Sequence, residues 1–124
     1  MTSRLHKRWF RVDESDGILR VALVPHEVVD AESDAAAEQL FALVARLRAS
    51  RLIVNLAGVR KLCSTMIGKL VALHQQIKAA GGRMVVCEIG PELGDVFTTL
   101  RLGRVLTLCG TEQDAVASFS YQER

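Results

Sequence analysis

Apolar residues recur at two spacings along this chain of 124 residues, and the two spacings separate strand-like segments from helix-like ones. Residues 9–12 and 18–24 are short apolar or alternating segments, and the residues DESDG between them supply the Asp and Gly typical of turns. This arrangement predicts an antiparallel hairpin. From Ser33 to Leu47, apolar positions instead recur every three or four residues, which predicts an amphipathic helix.

Three later apolar runs predict further strands. The first, LIVNL at residues 52–56, is too short and too apolar for a surface helix, so we interpret it as a strand covered on both faces. The other two are RMVVCEI at residues 83–89 and VLTLC at residues 105–109. Asn55 lies inside the first run, and we expect its side chain to be a buried polar group with its hydrogen bonds satisfied.

Helical patterns follow each of these three strands. Apolar residues keep helical spacing over 67–77, until the Gly-Gly pair at 81–82 ends the helix. Pro91 begins a short helix, because its fixed φ suits the first helical position. Thr111 and Asp114 form an approximate capping box, which predicts a last helix after the final strand.

The predicted order of elements, β-β-α-β-α-β-α-β-α, implies an α/β fold. We expect a mixed sheet of about five strands with about four helices, in which the hairpin pairs antiparallel and the later strands run parallel through right-handed crossovers. A chain of this length fits one domain, here residues 1–124 with a core of about 9–119.

Composition narrows the classes of function. The chain has 16 Lys and Arg against 14 Asp and Glu, and the net charge of +2 is too small for a nucleic-acid binder. The basic run RLHKR at residues 4–8 is interpreted as a solvated N-terminal edge. No apolar run approaches the roughly 20 residues of a membrane span, and the N-terminus lacks a signal peptide. We therefore expect a cytoplasmic protein without membrane insertion.

The cysteines and histidines show no metal-binding spacing. Cys63, Cys87 and Cys109 form no CxxC pair, and the three histidines lie far apart in the chain, so we expect reduced thiols and neither a metal nor a cofactor. Cys87 and Cys109 lie in apolar runs and are predicted to be buried. His74 falls on the apolar stripe of its helix, where a partly buried packing residue is expected.

Cys63, Ser64 and Thr65 lie at a predicted strand-to-helix turn, which is where α/β proteins usually place their sites. Catalysis by Cys63 requires a base beside it, but His74 lies three turns along the same helix, about 15 Å away. We therefore expect no enzymatic activity. Ser64 is predicted to be the helix N-cap, a hydroxyl that a partner modifies, or both, and Thr65 competes for either role.

The turn and its flanking segments resemble a known family. They are similar to the STAS domain of bacterial anti-sigma factor antagonists. The similarity lies in LIVNLAGV, in Ser64 at the start of a helix, and in GKLVALHQQIKAAGGRMVVCEIGPELGDVFTTLRL. The resemblance implies a non-enzymatic regulatory domain whose partner is an anti-sigma factor serine kinase. It also implies that Ser64, or alternatively Thr65, is the phosphoacceptor. Cys63 and Met66 stand where the family typically has Asp and Gly.

A partner-binding surface is predicted around Ser64. It comprises Lys61, Cys63, Ser64, Thr65, Met66, Lys69 and Pro91, and Met66 is expected to add an exposed apolar knob.

Two alternative functions stay open: a STAS scaffold subunit of a lipid or anion transport complex, and a regulatory binding module that is not phosphorylated. The oligomeric state is left open as well.

Overall fold

The computed structural model describes residues 3–6, 9–25, 27–28 and 30–122, which form an α/β architecture. The helices are α1 (Asp30–Arg46), α2 (Ser64–Ala79), α3 (Pro91–Thr99) and α4 (Glu112–Gln122), and a turn of 3-10 helix covers Leu102–Arg104. The strands are β1 (Ser3–His6), β2 (Phe10–Ser15), β3 (Ile18–Leu23), β4 (Glu27–Val28), β5 (Arg51–Asn55), β6 (Lys61–Leu62), β7 (Arg83–Cys87) and β8 (Thr107–Cys109).

Six strands form one mixed sheet in the order β1-β2-β3-β5-β7-β8. The neighbours β1, β2 and β3 pair antiparallel, whereas β3, β5, β7 and β8 pair parallel. The register aligns Val21, Val54 and Val86 in one row across the three central strands. The short strands β4 and β6 form a separate parallel pair, which places Glu27 beside the segment that leads into α2.

The sheet buries side chains on both of its faces, because successive residues of a strand point to opposite sides. Leu52 and Val54 of β5 belong to the larger core cluster, which also contains the buried residues of α1, α2 and α3. Ile53 belongs to a second cluster, with Ala115 and Phe119 of α4. Strand β5 is therefore covered on both faces, as its uninterrupted apolar run predicts.

The α/β class and the mixed sheet are confirmed. All five predicted strands and all four predicted helices are present, and residues 10–15 and 18–23 form the expected hairpin. Three strands among the described residues were not predicted. Two of them, β4 and β6, have two residues each and pair with each other. The third, β1, overlaps the basic segment at residues 4–8 and pairs with β2 at the edge of the sheet. Residues 7–8 of that segment lie outside the described residues.

The last strand is shorter and more exposed than the sequence predicts. It covers Thr107–Cys109 rather than residues 105–109, and the side chains of Val105 and Leu108 are 41% and 37% exposed. The reason is its position at the edge of the sheet, beside β7, where one side of the strand is left uncovered. The expectation that Cys109 is buried is therefore wrong, because it is half-buried, whereas Cys87 on β7 is fully buried as expected.

Candidate partner-binding site

The turn between β6 and α2 carries the predicted phosphoacceptor. Cys63 is the N-cap of α2, with φ −70° and ψ 158°, and its side chain makes no capping hydrogen bond. Ser64 and Thr65 lie inside the first helical turn, and both are exposed. The prediction that Ser64 or Thr65 is the N-cap is therefore wrong, because the cap lies one residue earlier. Both hydroxyl-bearing residues therefore lie at the surface of the domain.

Met66 does not belong to the exposed surface. Its side chain is completely buried, in a helical stripe with Leu70, Leu73 and Ile77. These residues are spaced by four, three and four positions, so they lie on the helix face that packs against the core. The expected apolar knob at Met66 is therefore wrong: the methionine fills the core below the turn instead of extending the surface.

The two predicted lysines do lie at the surface, and Lys69 lies next to helix α1. Lys61 is exposed on β6, and Lys69 is exposed on α2 with its ammonium 4.0 Å from a carboxylate oxygen of Asp34. An exposed pair at that distance contributes little to stability, but it shows that α1 and α2 share one surface. The described part of this surface therefore combines charges of both signs around the two hydroxyls.

A groove between α1 and α2 extends this surface. It encloses about 560 Å³, and Asp34, Ala37, Glu38, Phe41 and Lys69 line it. Sequence reasoning missed the contribution of α1, since nothing local to residues 61–69 indicates which helix packs beside them. The available signal was the pair of acidic residues at 34 and 38, which are one helical turn apart on the polar side of α1.

Pro91 is exposed at the first position of α3, after Gly90 as the N-cap. Helix α3 contacts strand β6, the strand that leads into the Ser64 turn. The beginning of α3 therefore belongs to an element that packs next to the turn, which is consistent with the predicted position of Pro91 at the margin of the site.

Two of the described side chains with reactive groups, those of His74 and Cys87, lie in other parts of the fold than the Ser64 turn. The Nε2 atom of His74 lies 3.2 Å from the hydroxyl oxygen of Thr107, so the imidazole is engaged with β8. Burial, followed by the charges of Glu112, Glu88 and Cys109, raises the pKa of the Cys87 thiol to about 12, which keeps it protonated.

Two further findings concern the described residues alone. They contain no group of three or more His, Cys, Asp or Glu side chains that could hold a metal ion. None of the helices within these ranges is both long enough and apolar enough to cross a membrane.

A separate polar cluster at the carboxyl ends of β5 and β7 is structural. The Asn55 amide nitrogen donates a hydrogen bond to Glu112 at 3.2 Å, and its carbonyl oxygen accepts one from the backbone of Ala57 at 2.8 Å. The backbone N–H of Glu112 donates to the Glu88 carboxylate at 2.7 Å. The prediction that Asn55 has its hydrogen bonds satisfied is confirmed, although its side chain is half-buried. The cluster joins the start of α4 to the sheet.

The fold and the Ser64 turn define a small α/β domain with an exposed strand-to-helix turn at the start of α2. The chain belongs to the STAS domain family, since the model of the STAS domain matches residues 10–115. This match includes the turn, both of its exposed hydroxyls and the helix that follows.

Solved structures with the same fold include anti-sigma factor antagonists. One from Mycobacterium paratuberculosis is 22% identical with a TM-score of 0.74, covering 95% of this chain and 93% of that one. A STAS-domain antagonist from Planctomyces limnophilus is 20% identical, with a TM-score of 0.73 and coverage of 88% and 95%. The Bacillus cell fate determinant SpoIIAA in its phosphorylated form is 16% identical, with a TM-score of 0.66 and coverage of 89% and 98%. At these identities the likeness shows the fold.

Proposed function

We propose that this STAS domain is an anti-sigma factor antagonist without catalytic activity, acting in the cytoplasm. It binds an anti-sigma factor serine kinase through the Ser64 turn, and phosphorylation of Ser64 releases that partner. The observation that carries the proposal is the exposed hydroxyl of Ser64 in the first turn of α2, in a chain of the STAS family.

The charge distribution around the turn supports a switch that acts on binding. The first turn of α2 contains no acidic residue, and Lys61 and Lys69 are exposed on either side in sequence. A phosphate adds about −1.5 to −2 charges, which cancels most of the positive charge of the two lysines and places a strongly hydrated group within the contact surface. A partner surface that fits the neutral hydroxyl and the two lysines then repels the phosphate, and binding also requires the phosphate to lose its water. Both effects weaken the complex.

The same geometry indicates that phosphorylation leaves the domain folded. The N-terminus of a helix carries a partial positive charge, and a negative group there is stabilising by about 0.3–1 kcal/mol. No acidic side chain in that turn of α2 opposes the phosphate. The modification is therefore expected to change binding without lowering the stability of the domain.

Cys63 favours a second candidate, a STAS module that binds its partner constitutively. This half-buried thiol stands where the family typically has Asp, and it provides neither a carboxylate nor a side-chain cap. If the acid is needed to orient the hydroxyl for transfer, the kinase does not modify wild type. Replacing Cys63 with Asp then restores modification, so the two candidates are separable.

The deciding experiment incubates the purified chain with the anti-sigma kinase of its own genome and ATP, and maps phosphate by mass spectrometry. We expect phosphate on Ser64 in wild type and in Thr65→Ala, and none in Ser64→Ala. Calorimetric titration should show unmodified protein and Ser64→Ala binding the kinase alike, with phosphorylated protein at least about tenfold weaker, a loss of roughly 1.4 kcal/mol.

Three results would contradict the proposed switch. Phosphate on Thr65 alone would move the acceptor by one residue. Phosphate on Cys63→Asp but not on wild type would establish the constitutive module instead. No measurable binding of the unmodified chain to the kinase, with the fold intact by circular dichroism, would remove the antagonist function altogether.

A further inference from the structure

We infer that a second site, remote from the Ser64 turn, binds a small phosphate-bearing molecule between the C-terminal half of α2 and the segment at residues 103–107. The site is an open cavity of about 320 Å³, within the size range of small-molecule pockets. It does not depend on the proposed partner switch. Ser64 and Lys78 are 14 positions apart on one helix, which separates them by about 21 Å along its axis.

The walls of this cavity carry positive charge from two different elements. Lys78 comes from α2 and Arg104 from the 3-10 helix, and no acidic side chain is among the lining residues. Among the described residues, neither cation takes part in an ion pair. Two cations that face a concave surface without a carboxylate create a positive potential, which attracts an anion.

The remaining polar groups are suited to an oxyanion rather than to a halide ion. Gln75, Thr107 and His74 also line the cavity, and each has a side-chain group that can donate a hydrogen bond. A phosphate group has several acceptor oxygens and takes charge-assisted hydrogen bonds from Arg and Lys. The partly exposed Val105 side chain adds an apolar contact for an organic part of the ligand.

His74 offers a way to observe binding. Its Nε2 atom lies 3.2 Å from the Thr107 hydroxyl, and its pKa is lowered, first by burial and then by the charges of Lys78 and Arg83. The charged groups around the imidazole are thus Lys78 on α2, Arg83 on β7 and Arg104 in the cavity wall. A bound anion offsets these positive charges and stabilises the imidazolium, so the pKa of His74 should rise on binding.

The test is a nuclear magnetic resonance titration of the full chain with inorganic phosphate and, separately, with adenosine monophosphate. Sodium chloride at matched ionic strength is the control. We expect saturable shifts at His74, Lys78, Arg104 and Thr107, and an increase in the pKa of His74 with either phosphate compound. If adenosine monophosphate binds more tightly than inorganic phosphate, the site also recognises the nucleoside part of the ligand.

Matched variants separate a site from general charge attraction. Lys78→Gln and Arg104→Gln should each weaken phosphate binding by about tenfold, since each removes a charge-assisted hydrogen bond. Arg60→Gln removes the same charge from an exposed position outside the cavity and should leave binding unchanged. The inference is overturned if chloride produces the same shifts, if shifts do not saturate at millimolar phosphate, or if Arg60→Gln weakens binding as much as Lys78→Gln.

Discussion

At the scale of single residues, Gly82 shows how closely the connection from α2 to β7 approaches the backbone just before β5. A Cβ atom at this position would overlap the backbone carbonyl oxygen of Ser50 and lie 2.9 Å from Cγ2 of Ile77. The Ser50 oxygen accepts a hydrogen bond of 2.7 Å from the N–H of Arg83, the first residue of β7. Moving this oxygen away from a new Cβ atom would therefore break that hydrogen bond. The neighbouring Gly81 has φ +87°, a conformation that permits the sharp end of α2.

Gly82→Ala is therefore expected to destabilise the domain by about 2 kcal/mol or more, because backbone atoms must move to accommodate the methyl group. Gly68→Ala is the matched control: Gly68 lies inside α2, and its added Cβ would meet no atom within 4 Å. That change should stabilise the helix by about 0.5–1 kcal/mol. Urea denaturation measures both free energies of unfolding, and equal effects of the two substitutions would contradict the close approach at Gly82.

At the scale of elements, the N-termini of α2 and α4 differ in their capping. The hydroxyl oxygen of Thr111 accepts a hydrogen bond of 3.0 Å from the backbone N–H of Asp114, which confirms the predicted role of this threonine in α4. Helix α2 begins instead after Cys63, which has the extended backbone of an N-cap but makes no side-chain hydrogen bond. The N-terminus of α4 thus has a side-chain cap, whereas the N-terminus of α2 has none.

Thr111→Ala should lower the free energy of unfolding by about 1 kcal/mol, since it removes the capping oxygen of α4. Thr111→Ser keeps that oxygen and should restore most of the loss. Thermal or urea denaturation followed by circular dichroism provides the comparison. If Ala and Ser destabilise equally, the hydroxyl hydrogen bond is not the cause.

Cys63→Ser and Cys63→Asp are expected to have the opposite effect and to stabilise the domain by about 0.5–1 kcal/mol. Their side-chain oxygens can accept the free N–H groups of the first turn, and the Asp charge also interacts favourably with the helix dipole. Cys63→Ala supplies no acceptor and should give no increase. A gain with Ala as large as with Ser would show that the thiol, rather than the missing cap, limits stability here.

At the scale of the whole molecule, the depth of each cysteine follows from the order of the strands. Cys87 and Cys109 lie opposite each other in register, yet Cys87 is buried on β7 and Cys109 is half-buried on the edge strand β8. Cys63 is half-buried beside the Ser64 turn, on the other face of the sheet from the α4 cluster. The three thiols therefore lie at three different positions: a buried strand, the edge strand next to it, and the start of α2.

Alkylation of native protein at slightly alkaline pH should modify Cys63 and Cys109 and leave Cys87 unmodified. Cys87 is protected twice, by burial and by a pKa of about 12, because the thiolate is the reactive form. Its labelling should require urea and follow the global unfolding transition. Mass spectrometry of peptides at increasing urea measures this order, and fast labelling of Cys87 in the native state would contradict the position of β7 in the core.

The sequence alone determined the features that depend on residues within one or two helical turns of each other. The apolar spacing of α2, the helix end at residues 81–82, and the cap at Thr111 follow from local backbone preferences, and the uninterrupted LIVNL run reflects burial on both faces. The burial of Met66 was also available from that spacing, since it lies four residues before Leu70. It was missed because the position was interpreted from the family's Gly rather than from its place on the helix stripe.

Tertiary structure decided everything that joins residues far apart in the chain. The edge position of β8, and with it the exposure of Leu108 and Cys109, depends on which strands pair, and an apolar run does not specify its neighbours. The groove beside Lys69 and the cavity between Lys78 and Arg104 likewise exist because separate elements pack together. Spacing along the chain encodes each element's own buried face, whereas the surfaces on which binding is proposed arise only where two elements meet.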